Sequence, residues 1–474
     1  MFTKRDFLRS VPLAAITTVV TMPKCAQAQS AQVKLDHAQV DNIVRRSYQY
    51  VAMYNVNNKA AMDAQNPLNT NGWNKIHKST ELANASMHAI ARPNNDTLYQ
   101  IAMLDLRNEP VILDVPAFDT RYASMETSAY DGYIDIPLST RSGDYKEPTK
   151  LLFYSARTQG YTPDTKVAGV GKSIAMTGDF VIAFIRVMPE SSSPAKHARI
   201  LEQIKDLKVQ TLSEYQGKSA TASSKVQFPA YGATDQDTYG TNLLEVMQFV
   251  FNHTTFDSRN ELDQALLDAY KPLGVEPGKT YDAAKVSPID GATFRQVSEE
   301  VKRANIEILG DQRKAEEFLF RAFKPKGHMD LATLVFQNVI GPIGQPADEA
   351  LYLPVNPADN KPMSALHDYV IKMTKDELPP ALAFWSVTLY DTKNGWFIPN
   401  KENKYSVGQN AGYKLNADGG IEIRIAANKP DGVPPENWLP INREDQGISP
   451  MLRLYQPDLA KATTWKPPKA QLAS

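Results

Sequence analysis

Sulfur chemistry is almost absent from this sequence. Its 474 residues include one cysteine, Cys25, placed within the first thirty. Beyond that point a disulfide, a cysteine nucleophile and a thiolate metal site are excluded. Charge of one sign is also lacking, with 52 Lys and Arg against 53 Asp and Glu. Nothing in that balance points to nucleic acid or an anionic membrane as partner. Past the first thirty residues no apolar run approaches the ~20 needed to cross a bilayer. G-x-S-x-G, H-E-x-x-H and EF-hand patterns are missing. Gly169-Val170-Gly171-Lys172-Ser173 mimics the end of a P-loop, but Lys166 stands where the first glycine is required. The histidines at 37, 77, 88, 197, 253, 328 and 367 include no pair at i,i+2 or i,i+4. A histidine-rich metal site would therefore have to be assembled from distant segments.

What is present begins with an address. Lys4, Arg5 and Arg9 precede an apolar run from Val11 to Met22, and Ala26-Gln27-Ala28 supplies a small-x-small cleavage pattern. Residues 1–28 are expected to be a signal peptide cleaved near Ala28, leaving a periplasmic or secreted chain without a transmembrane segment. Thr3-Lys4-Arg5-Asp6-Phe7-Leu8-Arg9 resembles a twin-arginine export signal, with lysine in place of the first arginine.

Periodicity then divides the chain. Asp36 or Asp41 can cap a first helix whose Ile43, Val44, Tyr48 and Val51 form one stripe. From Leu98 the period changes to two. Leu98, Gln100, Ala102, Leu104 and Leu106 share one strand face, and Tyr99, Ile101 and Met103 share the other. Tyr122, Ser124, Glu126 and Ser128 alternate with Ala123, Met125 and Thr127, and an apolar run covers Phe180 to Val187. Short strands separated by Pro, Gly, Asn and Asp predict a sandwich or related barrel. Ser193-Pro194 starts a helical stretch. In it Leu262, Leu266 and Tyr270 recur every four residues, and Phe294, Val297, Val301, Ala304 and Ile308 step by three and four. Strands return past Ala381, with hairpin turns at Lys393-Asn394-Gly395-Trp396 and Asn416-Ala417-Asp418-Gly419-Gly420 and a last strand at Met451–Tyr455. The expected fold is mainly β with a substantial helical segment, an α+β chain of two β-sandwich or jelly-roll-like domains linked by helices. Its expected parts are 29–190, an N-terminal helix plus β-rich domain; 191–345, the helical link; and 346–474, a C-terminal β-sandwich.

Two stretches are dense in polar groups beside aromatics. The first is Arg92-Pro93-Asn94-Asn95-Asp96-Thr97-Leu98-Tyr99, followed by Arg121-Tyr122 and Glu126. Asn94 and Asn95 before a strand suit an Asx-turn. Arg92, Asp96 and Arg121 border apolar strands, where charge is buried only if paired, and Glu126 interrupts a strand, where acids are disfavoured. The second stretch carries Trp385, Tyr390, Asn400, Tyr405 and Trp438. Ring faces beside amides are what a sugar-binding groove uses, although the same tryptophans serve as sandwich core.

Both stretches resemble a pair of bacterial, exported domains of unknown function, numbered 1254 at the N-terminal side and 1214 at the C-terminal side. The first is carried by Pro93-Asn94-Asn95-Asp96-Thr97-Leu98-Tyr99, Asp105-Leu106, Glu109-Pro110-Val111 and Arg121-Tyr122. The second is carried by Phe384 to Asp391, Pro399-Asn400, Asn403-Lys404-Tyr405-Ser406, Asn437-Trp438-Leu439-Pro440 and Arg453-Leu454-Tyr455. Lys404 stands where the pattern has arginine, and Met125-Glu126-Thr127-Ser128 departs from the usual run. The resemblance implies an exported protein of two β-rich domains and supplies no reaction.

Three functions fit these residues. One is a periplasmic hydrolase or lyase on a small polar or glycosidic substrate, with Asp96, Glu126 and Arg121 catalytic and Arg92, Asn94, Tyr99 and Tyr122 binding substrate beside the aromatic set. Another is a non-catalytic protein binding a carbohydrate or envelope component through Trp385, Tyr390, Asn400, Tyr405 and Trp438. A third is metal-dependent, with His88 and Asp96 or Glu126 holding a divalent ion. No other cofactor is evident in the sequence. The expected partner is a small polar ligand or glycan, with a homo-oligomer left open.

Overall fold

The computed structural model describes residues 34–88, 90–220 and 225–473, so the expected leader lies outside the described residues. Four sheets pair into two sandwiches. One N-terminal sheet runs, neighbour to neighbour, Lys75–Lys78, Leu98–Asp105, Phe180–Val187, Ala123–Ser128 and Asp135–Ser139. Its companion runs Lys172–Met176, Thr149–Ser155, Val111–Val115 and Lys208–Thr211. Period-two alternation sends Leu98, Ala102, Leu104, Val181, Ala183, Ile185 and Met125 inward against Val111, Leu113, Leu151 and Phe153. Tyr99, Ile101, Met103, Ile182 and Phe184 face the other way, into a separate cluster that includes Tyr390, Tyr405 and Met451 of the C-terminal half.

The C-terminal sandwich has sheets of Ala350–Pro354, Ile448–Pro457, Ala381–Asp391 and Ser406–Gly408, and of Trp438–Pro440, Ile421–Ala426, Tyr369–Met373 and Ala470–Leu472. Strand Ile448–Pro457 is therefore not the last one. The tail returns and pairs Ile371 with Ala470. Trp385, Val387, Leu389, Leu452 and Leu454 fill this core. The alternate residues Phe384, Ser386, Tyr390, Met451, Arg453 and Tyr455 are left for the face that meets the N-terminal sandwich.

Helices form the third layer. Asp36 caps His37–Met62 through a capping box with Gln39. That helix packs with Leu243–His253, Glu261–Tyr270, Gly291–Gly310 and Leu331–Ile340 in one core around Tyr48, Tyr54, Phe251 and Tyr270. The first helix thus belongs with the helical unit rather than with the N-terminal strands. Conversely, helix Pro194–Lys205 turns Ile200 and Ile204 into the N-terminal sandwich core, and strand Lys208–Thr211 pairs with Val111–Val115. That sandwich extends beyond residue 190 because these apolar residues match its inner face. No described helix is long and apolar enough to cross a membrane.

Candidate functional site

The segment from Arg92 to Thr97 is fastened at both ends. Asn94 Oδ1 accepts from the backbone N–H of Asp96 and Thr97 at 3.0 and 2.9 Å, the expected Asx-turn. Arg92 takes the left-handed conformation at φ +50° and donates its N–H to Gly395 O at 2.8 Å. Such a φ is costly for a bulky residue. The contacts that hold it come from the C-terminal domain, including Tyr390 Oη donating to Pro93 O. The turn delivers Asp96, 1% exposed, to Ser386 Oγ at 2.6 Å and Tyr455 Oη at 3.1 Å, both donating to Asp96 Oδ2. Burial pushes this carboxyl up, while Arg453, Ser386 and Tyr455 pull it back.

Two buried guanidinium groups flank this junction. Arg453 stands opposite Ser386 and Tyr352 in register and is 2% exposed. Its Nη2 donates to Arg92 O at 2.8 Å, while Nε and Nη1 are buried without a well-directed hydrogen bond, Tyr390 standing beside them. The group lies 5.3 and 5.8 Å from the ring centroids of Tyr390 and Tyr352. Arg186 stands opposite Tyr99 and Ser124 and lies 4.4 Å from the Phe184 ring centroid. Its Nη1 is 2.6 Å from Glu126 Oε2, yet neither atom has a well-directed hydrogen bond, so the contact is an ion pair only. Desolvation pushes Glu126 up to about 7 against the pull of Arg186, and Glu126 in turn holds Arg186 protonated. All of strand Ala123–Ser128 is buried, so the face bearing Glu126 is an interior one rather than a solvated one.

Between these groups and the helical unit lies a cavity of about 230 Å³. Arg92, Asn94, Tyr99, Arg186, Tyr352 and Arg453 form its polar wall. Leu309, Leu319, Phe323, Val339, Ile340 and Ile343 form an apolar wall from helices and the loop that follows them. Asp235 also borders it, anchored by Asn55 Nδ2 at 2.8 Å, its carboxyl raised by burial. Three arginines stand among three carboxyls, Asp96, Glu126 and Asp235, each raised by burial. Unpaired buried donors on a cation are costly unless a ligand satisfies them, so this wall suits an anion.

The sequence candidates fall in several places. Arg92, Asn94 and Tyr99 line the cavity, whereas Asp96 and Tyr390 sit behind it and act on Arg453. Glu126 acts on Arg186 in the same way. Tyr122 is fully buried, hydrogen-bonded to Ser124 Oγ and ring-packed against Phe384 and Tyr455, away from the cavity. Arg121 is exposed, its backbone N–H held by Glu190 Oε1. Trp385 is core, stacked 4.9 Å from Tyr413. Trp438 donates Nε1 to Ala426 O, Asn400 braces the backbone of Lys404, and Tyr405 packs tilted against Phe397 with centroids 4.9 Å apart. These four residues do not converge on a groove, because strand pairing spends their polar atoms locally. Lys404, the departure from the family pattern, donates to Pro435 O and Glu436 O, and burial lowers it to about 8.

His88 is exposed and stacks on Trp396, far in environment from the buried Asp96 and Glu126. Among the described residues no three His, Cys, Asp or Glu side chains are grouped to hold a metal. Sequence reasoning missed Arg186 and Arg453. Each is a lone cation inside an otherwise apolar strand, Phe180–Val187 or Met451–Tyr455, and that interruption was the available signal.

The pattern described as "protein of unknown function (DUF1254)" matches residues 73–210, and "protein of unknown function (DUF1214)" matches 349–459. No curated protein matches the chain. Among solved structures, the VPA0106 protein from Vibrio parahaemolyticus is similar at 22% identity and a TM-score of 0.65, over 91% of this chain and 100% of that one. A putative uncharacterized protein from Burkholderia cenocepacia is similar at 14% identity and a TM-score of 0.39, over 92% and 93%. The first of these shares the fold. In chain order, this protein joins a domain of the DUF1254 family to a domain of the DUF1214 family.

Proposed function

We propose that the chain binds a small organic anion in the cavity where the two sandwiches meet the helical unit. The observation that carries this reading is Arg453, 2% exposed on the cavity wall with Nε and Nη1 lacking a well-directed hydrogen bond. Arg186 and Arg92 add charge of the same sign, and the aromatic rings beneath the guanidiniums keep them dry. Ligand pockets favour such domain junctions. The basic, apolar character of residues 1–28 supports an exported protein that meets its ligand outside the cytoplasm.

A second reading, hydrolase or lyase chemistry, has one observation in its favour: Glu126, raised to about 7, touches an arginine of the cavity wall. A general base at that value is well matched to neutral pH. Asp96 and Glu126 stand behind Arg453 and Arg186 rather than against the cavity, which favours binding over turnover.

The test is a thermal-shift panel of small carboxylates, sulfonates and sugar acids on the wild type and Arg453→Met. A ligand at 100 times its dissociation constant adds about 2.7 kcal/mol to stability. Anion-dependent stabilisation that disappears in Arg453→Met supports the reading, and its survival there overturns it. Product formation from a bound anion, followed by NMR, would select the catalytic reading.

A further inference from the structure

Resting on that reading of the cavity, we infer that the ligand is an amphipathic monocarboxylate, its head on Arg453 and Arg186 and an apolar tail against the helices. The two walls differ in kind. All three arginines on the cavity come from the sandwiches, whereas the helical unit and its loop bring mostly apolar side chains, Leu309, Leu319, Phe323, Ile340 and Ile343, beside Asn338 and Asp235. A hydroxyl buried against such side chains without a partner costs about 1–3 kcal/mol. A sugar acid would leave several hydroxyls in that position, whereas a hydrocarbon tail gains from the same surface.

Size narrows the class. An apolar cavity of about 150 Å³ accommodates benzene, and this one measures about 230 Å³. A carboxylate carrying six to eight carbons, or a phenylalkyl chain, is of that order. Phe323 on this lining holds φ +59° and packs so closely on Gly344 that a Cβ there would lie 2.4 Å from the ring. A methyl at Gly344 must displace that ring, and the open space beside it is the cavity. Gly344 and Phe323 therefore limit the space open to the tail. Asp235 borders the cavity as a carboxyl raised by burial. Its Oδ1 already accepts from Asn55 Nδ2 at 2.8 Å, which leaves the tail no cation to provide.

The experiment is titration calorimetry on the wild-type protein with acetate, butanoate, hexanoate, octanoate, decanoate, octanamide, glucuronate and 6-aminohexanoate. Affinity should rise about fourfold per methylene and level off near eight carbons. Octanamide should bind at least tenfold more weakly than octanoate. Gly344→Ala should move the optimum to a shorter chain, read as a larger loss of affinity for octanoate than for butanoate. Glucuronate or acetate binding as tightly as octanoate would overturn the tail assignment. So would 6-aminohexanoate binding more tightly than hexanoate, since Asp235 would then be reading a cation. In each of those cases Arg453-dependent anion binding still stands. Failure of every carboxylate to bind would overturn both readings together.

Discussion

Two buried clusters in this molecule hold arginine against carboxylate, and they are built to opposite ends. At Asp179 both carboxylate oxygens are occupied, and although Arg157 Nη2 is left without a partner, no cavity among the described residues adjoins it. Its carboxylate accepts from Ser155 Oγ at 2.7 Å, from Arg157 Nε at 2.9 Å and from His253 Nδ1 at 2.8 Å. Those contacts outweigh burial and hold Asp179 below the usual carboxylate range. Arg157 also donates to Thr254 O, so the cluster ties strand to helical layer. At Arg453 and Arg186 the acids are pushed up rather than down, donors are left over, and a cavity adjoins them. The lesson is that burial of charge alone does not mark a site. Unmet donors beside empty volume do.

The largest expected effect sharpens the first half of this contrast. Asp179→Ala strands Arg157 and His253 and should cost about 3–5 kcal/mol in urea unfolding, with anion affinity of the remaining folded protein unchanged. Because Asp179 is held low, its contribution is present above the unfolded carboxylate pKa and is lost as pH falls through its folded value. Wild-type stability measured below about pH 4 should accordingly approach that of the variant.

Arg453→Met tests the other half. Replacing an under-satisfied buried cation by an apolar side chain of similar length should change unfolding free energy by less than about 2 kcal/mol. Affinity for the anion should fall at least ~30-fold. A loss of stability as large as that of Asp179→Ala would break the comparison, because both clusters would then be structural.

Glu126 gives a smaller effect with a definite sign. Its folded pKa is raised to about 7 from the usual 4.5. The folded state thus holds the extra proton between those values, and stability falls as pH rises through that window. Glu126→Gln removes this dependence. The variant should gain on the wild type by about 2 kcal/mol between pH 5 and pH 8, as an order of magnitude, read from paired thermal melts. A difference that stays flat with pH would show that Glu126 is ionised throughout. Least of all, Trp438→Phe should cost about 1 kcal/mol for the lost bond to Ala426 O and leave anion binding intact, because that ring only braces a strand edge.

The sequence determined the faces of the strands it marked and the alternation of β-rich ends with a helical middle, since these follow from local periodicity. Alternation at Leu98–Asp105 placed Tyr99 and Ile101 on a face of their own, and Asp36 announced the first helix. The Asx-turn at Asn94 was equally legible, because its hydrogen bonds close within three residues. Tertiary structure alone decided which charges meet. Asp96 and Ser386 are 290 positions apart, and Arg453 reaches Arg92 across 361. Such pairings depend on how two sandwiches dock, which no local period encodes. The same docking consigned Trp385 to a core, left Arg121 at the surface, and formed the cavity whose wall Arg186 and Arg453 complete.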